Sequence, residues 1–240
     1  MNKKYKFIIT ILIGILIIGW GIWVTLANSS KTHSLFSETI FEEGDQIRER
    51  ITYPITENKS FNKKILNMIN DEKSTFRMQV NDVKKVQNML NFIYTFNVHY
   101  KASTTSFFYS IHFVISKFVG GAHNERIDKM YYYDFKSEKE IYLSDFFIDY
   151  PLALQSLSVL SFEKLKYYYN NDNSLFDIEE LKKGLEPIPD NFQYIMFNED
   201  DIVLLFPPYQ VGPWSTGEVR ISFSYEELNK FLKPEYQIHD

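Results

Sequence analysis

The sequence contains no cysteine among its 240 residues. This absence excludes a disulfide framework, a thiolate metal site, a thiol nucleophile and a lipid-modified amino-terminal cysteine. Histidine is scarce as well, with five residues, and no two of them have the His-x-x-x-His spacing of zinc enzymes. The scarcity of these residue types removes most metal-dependent and thiol-dependent chemistry from consideration.

Basic residues are also in short supply. The chain carries 26 lysines and arginines against 31 acidic residues, a formal net charge of −5. Contact with phosphate backbones requires a basic surface, so we expect no nucleic-acid partner. An acidic surface attracts basic partners, mainly by raising the association rate, although simple solubility accounts for such a charge equally well.

Motifs of catalysis are missing. No serine lies in a Gly-x-Ser-x-Gly elbow. Asp172-Asn173-Ser174 begins like a calcium-binding loop, but Lys183 occupies the position where that loop needs a bidentate glutamate. We therefore predict no catalytic residue, no bound metal and no cofactor.

The sequence has one long apolar run, from Phe7 to Ala27, which contains no charged residue. Its 21 residues are long enough to span a bilayer as a helix. Lysines at positions 3, 4 and 6 precede it, which places the amino terminus in the cytoplasm. A cleaved signal peptide is the alternative, since Thr25-Leu26-Ala27 is a weak cleavage site, but secretory apolar cores are usually shorter. The length favours an uncleaved anchor.

The domain organisation follows from this run. Residues 1–27 are predicted to be a cytoplasmic stub and a transmembrane anchor, residues 28–45 a polar stalk, and residues 46–240 one extracytoplasmic domain. We thus expect a single-pass protein of the cell membrane with its carboxy-terminal domain outside the cell.

Hydrophobic periodicity predicts an α+β fold in which an antiparallel sheet packs against helices. Residues 47–55 alternate as a strand interrupted at Pro54, and an amphipathic helix runs from Asn58 or Ser60 towards Leu90. A meander of about four strands follows, at residues 92–100, 105–115, 129–135 and 141–143. The remaining pattern comprises helices from Pro151 and at 178–185, strands at 192–197, 202–206 and 219–223, and a capping box at Ser224 that opens a last helix.

The most distinctive local feature is the adjacent pair Gly120-Gly121, which permits a sharp turn between two strands. His123 follows it and could bind a metal or act as a base. No second ligand lies at a suitable spacing, so a hydrogen-bonded histidine at a strand end is favoured. His99 and His112 lie within strand patterns, and we expect them on a polar or half-buried face.

The segment from Pro207 to Gly217 is the second candidate. Its three prolines stiffen the chain around Tyr209 and Trp214, and rigid aromatic side chains often anchor interfaces. An equally open alternative is that both rings fold back over the sheet edge as a plug. If the turn at residues 120–124 approaches this loop, the two share one surface. The candidate binding residues are Gly120, Gly121, His123, Tyr209, Gln210, Pro213 and Trp214.

Several motifs together carry a family resemblance: Gly120-Gly121-Ala122-His123, Tyr133-Asp134-Phe135, Leu143-Ser144-Asp145-Phe146-Phe147, the segment from Leu205 to Trp214, and the segment from Ile221 to Leu228. The region from about Ile47 to Phe231 resembles the extracytoplasmic domain that is shared by RsiV-like lysozyme-sensing anti-sigma factors and the non-catalytic amino-terminal part of PdaC-like peptidoglycan deacetylases. Only six residues precede the apolar run, and no deacetylase motif follows. We therefore expect the binding domain alone.

The resemblance implies a non-enzymatic binding or sensing domain at the bacterial cell envelope, recognising a protein such as lysozyme or a cell-wall glycan. An accessory module of a peptidoglycan-modifying system is the second hypothesis. A third is a hydrolase whose motif is not recognised.

Overall fold

The structure, a computed structural model, describes residues 35–86, 92–171 and 177–237. The predicted anchor at 7–27 and the segment Asp172–Ser174 lie outside these ranges. Within the ranges, no helix combines the length and the apolar character that crossing a membrane requires. Residues from Leu35 onward form one compact unit, an α+β domain with two sheets and helices packed against them.

The larger sheet has six strands in the order β1 to β6. Their bounds are Phe36–Glu43 (β1), Ile47–Ile55 (β2), Tyr94–Thr104 (β3), Phe108–Phe118 (β4), Glu125–Asp134 (β5) and Lys139–Ile141 (β6). The strands β3 to β6 form the predicted antiparallel meander. The pair β2–β3 is parallel, which requires a crossover connection, and helix α1 (Lys59–Val86) supplies it.

Strand β1 lies where a polar stalk was predicted. It pairs along its whole length with β2, for example Ser37 with Pro54, so the stalk prediction is wrong for residues 36–43. Its side chains are exposed at nearly every position. A strand of this kind has no buried face and therefore no hydrophobic alternation in its sequence. Pro54 lies within β2 and does not interrupt it.

Helix α1 confirms the predicted amphipathic helix. The Asn58 side chain accepts a hydrogen bond from the Phe61 backbone N–H at 2.9 Å, which caps the first turn. The apolar stripe is buried against the larger sheet, at Phe61, Ile65, Ile69, Phe76 and Val80. Burial of such side chains contributes about 1.5–3 kcal/mol each. This packing holds the long helix on one face of the sheet.

Ion pairs accompany the apolar contacts on the α1 face. The Glu49 carboxylate is 1% exposed and lies 2.5 Å from Lys73 and 3.0 Å from Arg77. The Lys117 ammonium on β4 is equally buried and donates to Glu72 of α1 at 2.7 Å. Each buried charge therefore has a partner, as burial requires.

The opposite face of the larger sheet carries a second sheet of three antiparallel strands: β7 (Ile195–Phe197), β8 (Asp201–Phe206) and β9 (Val219–Ser224). The Ser110 hydroxyl on β4 accepts from the Phe197 N–H at 3.2 Å, and the Ser103 hydroxyl on β3 donates to the Phe197 carbonyl at 2.8 Å. The prediction of one antiparallel sheet is therefore too simple. Local alternation identifies a strand, but it does not reveal which sheet the strand joins.

Three further helices cover the small sheet and its surroundings: α2 (Tyr150–Asn171), α3 (Ile178–Gly184) and α4 (Tyr225–Leu228). The capping box predicted at Ser224 is present, since its hydroxyl accepts from the Glu227 N–H and the Glu227 carboxylate accepts from the Ser224 N–H. The core beneath is rich in ring contacts: Phe146 stacks on Phe197, and Phe108 packs against both in tilted and edge-to-face contacts.

Candidate functional site

The turn between β4 and β5 adopts the conformation that its glycines allow. Gly120 and Gly121 have φ angles of 104° and 114°, a backbone conformation that residues other than glycine rarely adopt. The chain reverses here and pairs Lys117 with Glu125. His123 is thereby placed at the exposed end of the hairpin.

The loop from Pro207 to Gly217 joins β8 to β9 and is fixed near its start. The Gln210 amide donates to the carbonyls of Gly184 and Asn191 at 3.0 and 2.7 Å, and Val211 is buried. A Cβ added to Gly184 would lie 1.8 Å from the Gln210 carbonyl oxygen, so α3 and the loop are in close backbone contact. Gln210, predicted to contact a ligand, braces the loop through its side-chain amide, and its contact with a ligand stays a prediction.

The hairpin turn and the loop meet through their aromatic side chains. The rings of His123 and Trp214 stack with centroids 4.6 Å apart at 22°, and Tyr209 lies 5.4 Å from Trp214 at 38°. We call these three side chains the aromatic stack. Pro213, which precedes Trp214, is exposed beside them. The sequence analysis predicted one shared surface if the turn approaches the loop, and the structure shows this approach.

The aromatic stack faces solvent. Tyr209 is 64% exposed, Trp214 is 37% exposed, and His123 is exposed as well. A plug over the sheet edge would bury these rings, so the structure does not agree with that alternative. Tyr209 also has a φ angle of 73°, a left-handed conformation that costs a residue with a side chain about 1–2 kcal/mol. The bracing of Gln210 holds this conformation in place.

His123 has the environment of a surface histidine and lacks the contacts of a catalytic base. Its Nδ1 lies 3.2 Å from the carbonyl oxygen of Asn124, and the Asn124 amide donates to the Ser116 hydroxyl at 2.8 Å. Within residues 35–86, 92–171 and 177–237, no carboxylate orients the ring. The contacts agree with the interpretation of His123 as a hydrogen-bonded residue.

A largely buried ionic cluster joins β4 and β5 to the residue that follows the loop; it is formed by His112, Arg126, Asp128 and Glu218, and we call it the β5 cluster. The His112 Nε2 is 2.7 Å from Asp128, and Arg126 donates twice to Asp128 at 2.8 Å. Arg126 also pairs with Glu218. His112 was predicted to lie on a polar or half-buried face. Its side chain is 1% exposed, so it is more deeply buried than predicted.

The electrostatics of the β5 cluster stabilise its charged state. Burial alone would raise the pKa of Asp128, but hydrogen bonds from His112 and Arg126 outweigh it and hold that pKa below its ordinary value. The hydrogen bond with Asp128 in turn raises the pKa of Arg126. Burial and the nearby guanidinium lower the pKa of His99, which lies on β3. The Asp128 carboxylate and the Arg126 guanidinium therefore stabilise each other's charged form.

The β5 cluster resembles catalytic or metal sites in composition only. Ligand atoms of His112, Asp128 and Glu218 lie within 4.8 Å of one another. Arg126, however, already supplies the positive charge that a metal would bring to the two carboxylates. The remaining ring nitrogen of His112 is buried and has no hydrogen-bond partner among the described residues. It touches no hydroxyl that it could activate, which a His–Asp pair in catalysis must do.

The position of Glu218 gives the β5 cluster a structural role. Glu218 directly follows Gly217, whose φ angle of 70° ends the loop, so its pairing with Arg126 fastens the end of the loop to β5. Gln210 fastens the beginning to α3. The exposed rings are thus carried by a segment that is held at both ends.

Two cavities flank the loop. One of about 550 Å³ is an open groove that follows β5 from Arg126 to Tyr131 and is also lined by Gln193, Tyr194 and Pro207. The other, of about 460 Å³, lies beside Tyr209 and is lined by α3 and by the loop. Ligands usually occupy concave sites of about 300–1,000 Å³, so both cavities are large enough for one.

Sequence comparison finds one matching family model and one similar deacetylase. Residues 144–226 match the family described as protein of unknown function DUF3298. The peptidoglycan-N-acetylmuramic acid deacetylase PdaC of Bacillus subtilis (strain 168) is 27% identical over 220 residues, which cover 88% of this chain. The match covers 45% of PdaC, so the chain spans less than half the length of this relative.

Solved structures show the same fold. A DUF3298 family protein from Pseudomonas aeruginosa PAO1 aligns with a TM-score of 0.59 at 14% identity, over 86% of this chain and 98% of that one. A DUF3298 family member from Bacteroides fragilis NCTC 9343 aligns with a TM-score of 0.54 at 13% identity, over 84% and 95%. The family resemblance predicted from the sequence is confirmed by the match of residues 144–226 to DUF3298 and by the similarity to PdaC.

Proposed function

We propose that this chain is a non-catalytic binding domain of the bacterial cell envelope whose aromatic stack binds the glycan of peptidoglycan. The observation that carries this proposal is the exposure of three contacting rings, two of them on a loop that is fastened at both ends and the third, His123, on the adjoining hairpin turn. The C–H face of a sugar ring packs against the electron-rich face of an aromatic ring. Because His123 and Trp214 lie face to face, a sugar would pack on the outer faces and the exposed edges of the aromatic stack.

Preorganisation supports the same assignment. Gln210 and Glu218 hold the loop near its two ends, Pro207 and Pro208 stiffen its beginning, and Pro213 stiffens the part between the two contacts. Little conformational entropy is then lost when a ligand binds, which leaves more of the contact energy as affinity. The absence of an activated nucleophile near His112 and His123, within the described residues, favours binding over catalysis.

The relative PdaC gives the proposal its ligand class. Its name assigns it an activity on the N-acetylmuramic acid of peptidoglycan, and the present chain is similar to less than half of its length. We propose that this chain corresponds to the non-catalytic part of such a protein. It would then serve as a sensor of the wall, or as an accessory module that works beside a separate catalytic subunit.

A second candidate ligand is a basic muramidase such as lysozyme. The net charge of −5 favours it, because an acidic domain attracts a basic protein. The resemblance to RsiV-like lysozyme-sensing anti-sigma factors suggests the same partner. Both ligands would use the exposed rings, so a direct comparison of binding is required.

The test uses the full-length chain in mild detergent, with purified insoluble peptidoglycan and an immobilised muramidase as separate ligands. We expect Trp214→Ala to weaken binding to peptidoglycan at least about tenfold, as loss of an aromatic anchor does. The control is Phe41→Ala, which removes an exposed ring at the opposite edge of the larger sheet. Unchanged retention by peptidoglycan in Trp214→Ala contradicts the proposal, and retention by the muramidase alone favours the second candidate.

We further propose that the run at residues 7–27 anchors the chain with its amino terminus in the cytoplasm and its domain outside. The cysteine-free sequence permits a clean test. Ser137→Cys introduces a thiol in an exposed turn. A membrane-impermeant maleimide should label this variant in intact cells. Labelling that requires cell lysis contradicts the proposed orientation.

A further inference from the structure

The cavity of about 460 Å³ beside Tyr209 has charged groups at its edge that the fold does not use. Helix α3 contributes Glu180 and Lys183, and Asn191 and Pro213 line the cavity with Tyr209. Tyr209 therefore belongs both to this cavity and to the aromatic stack. A ligand lying on the stack can extend into the cavity without leaving the protein surface.

The charges of α3 are divided into two pairs of different character. Glu179 and Lys182 are exposed and bind each other at 2.7 Å. Glu180 and Lys183 are exposed as well, yet within the described residues their side chains form no ion pair. Both of the unpaired charges line the cavity, whereas the paired charges do not. An acidic and a basic group are thus available to one ligand.

We propose that this cavity binds the peptide substituent of peptidoglycan, with Lys183 pairing a free carboxylate and Glu180 a free amine of the peptide. This inference rests on the proposed function, because it assumes that sugars of the same strand lie on the aromatic stack. Asn191 adds an amide beside these charges, but its side chain already donates to the carbonyls of Lys183 and Glu186. The protein then distinguishes glycan that carries peptides from glycan that does not.

The volume of the cavity agrees with such a ligand. At about 460 Å³ it lies within the range of sites that hold small molecules, about 300–1,000 Å³. Its wall is rigid, because the side chain of Gln210 is bound to the last residue of α3 and the backbones of Gly184 and Gln210 are in contact. Opposite charges fixed at separate points of one cavity favour a ligand that carries both signs.

The test compares two soluble ligands with the full-length chain by calorimetric titration. One is the disaccharide of N-acetylglucosamine and N-acetylmuramic acid with its peptide, and the other is a chitin oligosaccharide, which has no peptide. We expect the wild type to bind the peptide-bearing ligand roughly tenfold more tightly, the size of effect that two charged contacts give. The double variant Glu180→Gln/Lys183→Gln should reduce this preference to about twofold or less, with unchanged affinity for the chitin oligosaccharide.

A matched control is available on the same helix. Glu179→Gln/Lys182→Gln makes the same chemical change to the paired charges and should leave the preference intact. Equal preference in the wild type and the Glu180/Lys183 variant overturns this inference while leaving the proposed function in place. If Trp214→Ala loses affinity for both ligands, the proposed function is supported. If Trp214→Ala binds both ligands as the wild type does, the proposed function and this inference are both overturned.

Discussion

The two faces of the six-stranded sheet both bury charged groups, but the groups hold different parts of the molecule. On one face, Lys117 pairs with Glu72 of α1, and Glu49 pairs with Lys73 and Arg77 of the same helix. On the other, Arg126 joins Asp128 to Glu218 at the end of the aromatic loop. The first set fastens a helix to the sheet, and the second fastens a binding surface to it.

This difference separates stability from function. A change on the α1 face should lower the free energy of unfolding while leaving the affinity of each folded molecule unchanged. A change in the β5 cluster should lower both quantities, because the same contacts orient the loop. A change in the exposed rings should lower affinity alone. The predictions below follow this order, from the largest expected loss of stability to the smallest.

Glu72→Gln should have the largest effect. It leaves the buried Lys117 ammonium without its close carboxylate, and removal of one partner of a buried ion pair costs about 3–5 kcal/mol in the free energy of unfolding. Urea denaturation measures this change. Asp82→Asn, which breaks an exposed pair on the same helix, is the control and should change the free energy by less than about 1 kcal/mol. If both variants are equally stable, the Lys117 pair has no structural role.

Asp128→Asn should lower stability less and also weaken binding. The variant weakens the charge-assisted hydrogen bonds from Arg126 and His112. Its amide keeps one acceptor oxygen and Glu218 still pairs with Arg126, so we expect a net loss of about 1.5–3 kcal/mol, the contribution of one such bond. The end of the loop is then held less firmly. Denaturation and retention by peptidoglycan are measured on the same preparation. A variant that loses stability but binds like the wild type would separate the β5 cluster from the site.

The lowered pKa of Asp128 predicts that the free energy of unfolding declines at acidic pH. Because the folded protein holds the pKa of Asp128 below its ordinary value of about 3.9, Asp128 contributes stability above about pH 4. That contribution is lost as the pH falls through the lowered pKa. Asp128→Asn should therefore show a shallower decline of stability below pH 4. Glu42 and Glu227 also have lowered pKa values, so the decline should be reduced and not abolished. An identical acid slope in the two proteins contradicts the assignment.

Gly184→Ala should displace the loop at its beginning. The new methyl group would lie 1.8 Å from the Gln210 carbonyl oxygen, a backbone atom that moves only with the loop. Overpacking of this kind costs about 1–3 kcal/mol, and we expect binding to peptidoglycan to weaken as well. Gly44→Ala is the control, because the nearest neighbour of its added methyl group is 3.8 Å away. Wild-type affinity in Gly184→Ala would mean that the position of the loop does not matter.

Local patterns in the sequence predicted the local structure well. The apolar period of α1, the glycine turn at 120–121 and the capping box at Ser224 each depend on residues a few positions apart. The sequence predicted a surface shared by the turn and the loop only if the two approach each other, and it could not show that His123 stacks on Trp214. The segment that matches the DUF3298 family, residues 144–226, includes Trp214 but not His123. The aromatic stack therefore combines side chains of the matched segment with one that lies outside it.

The β5 cluster could not be predicted because its members are far apart in the sequence. His112 and Asp128 are separated by 16 residues, and Arg126 and Glu218 by 92. Their meeting depends on strand register and on the packing of one sheet on another. Strand β1 and the parallel pair β2–β3 were missed for a related reason, since an exposed strand has no alternation and a crossover leaves no local pattern.

The most direct test of the account uses Trp214 as its own reporter. The sequence has three tryptophans, and Trp20 and Trp23 lie in the predicted anchor. In the variant Trp20→Phe/Trp23→Phe, with excitation at a wavelength that only tryptophan absorbs, the emission comes from Trp214 alone. Addition of soluble peptidoglycan fragments should shift the emission to shorter wavelength in a saturable manner, because a sugar that covers the ring excludes water from it. Emission that stays unchanged while calorimetry records binding would place the ligand elsewhere and contradict the account.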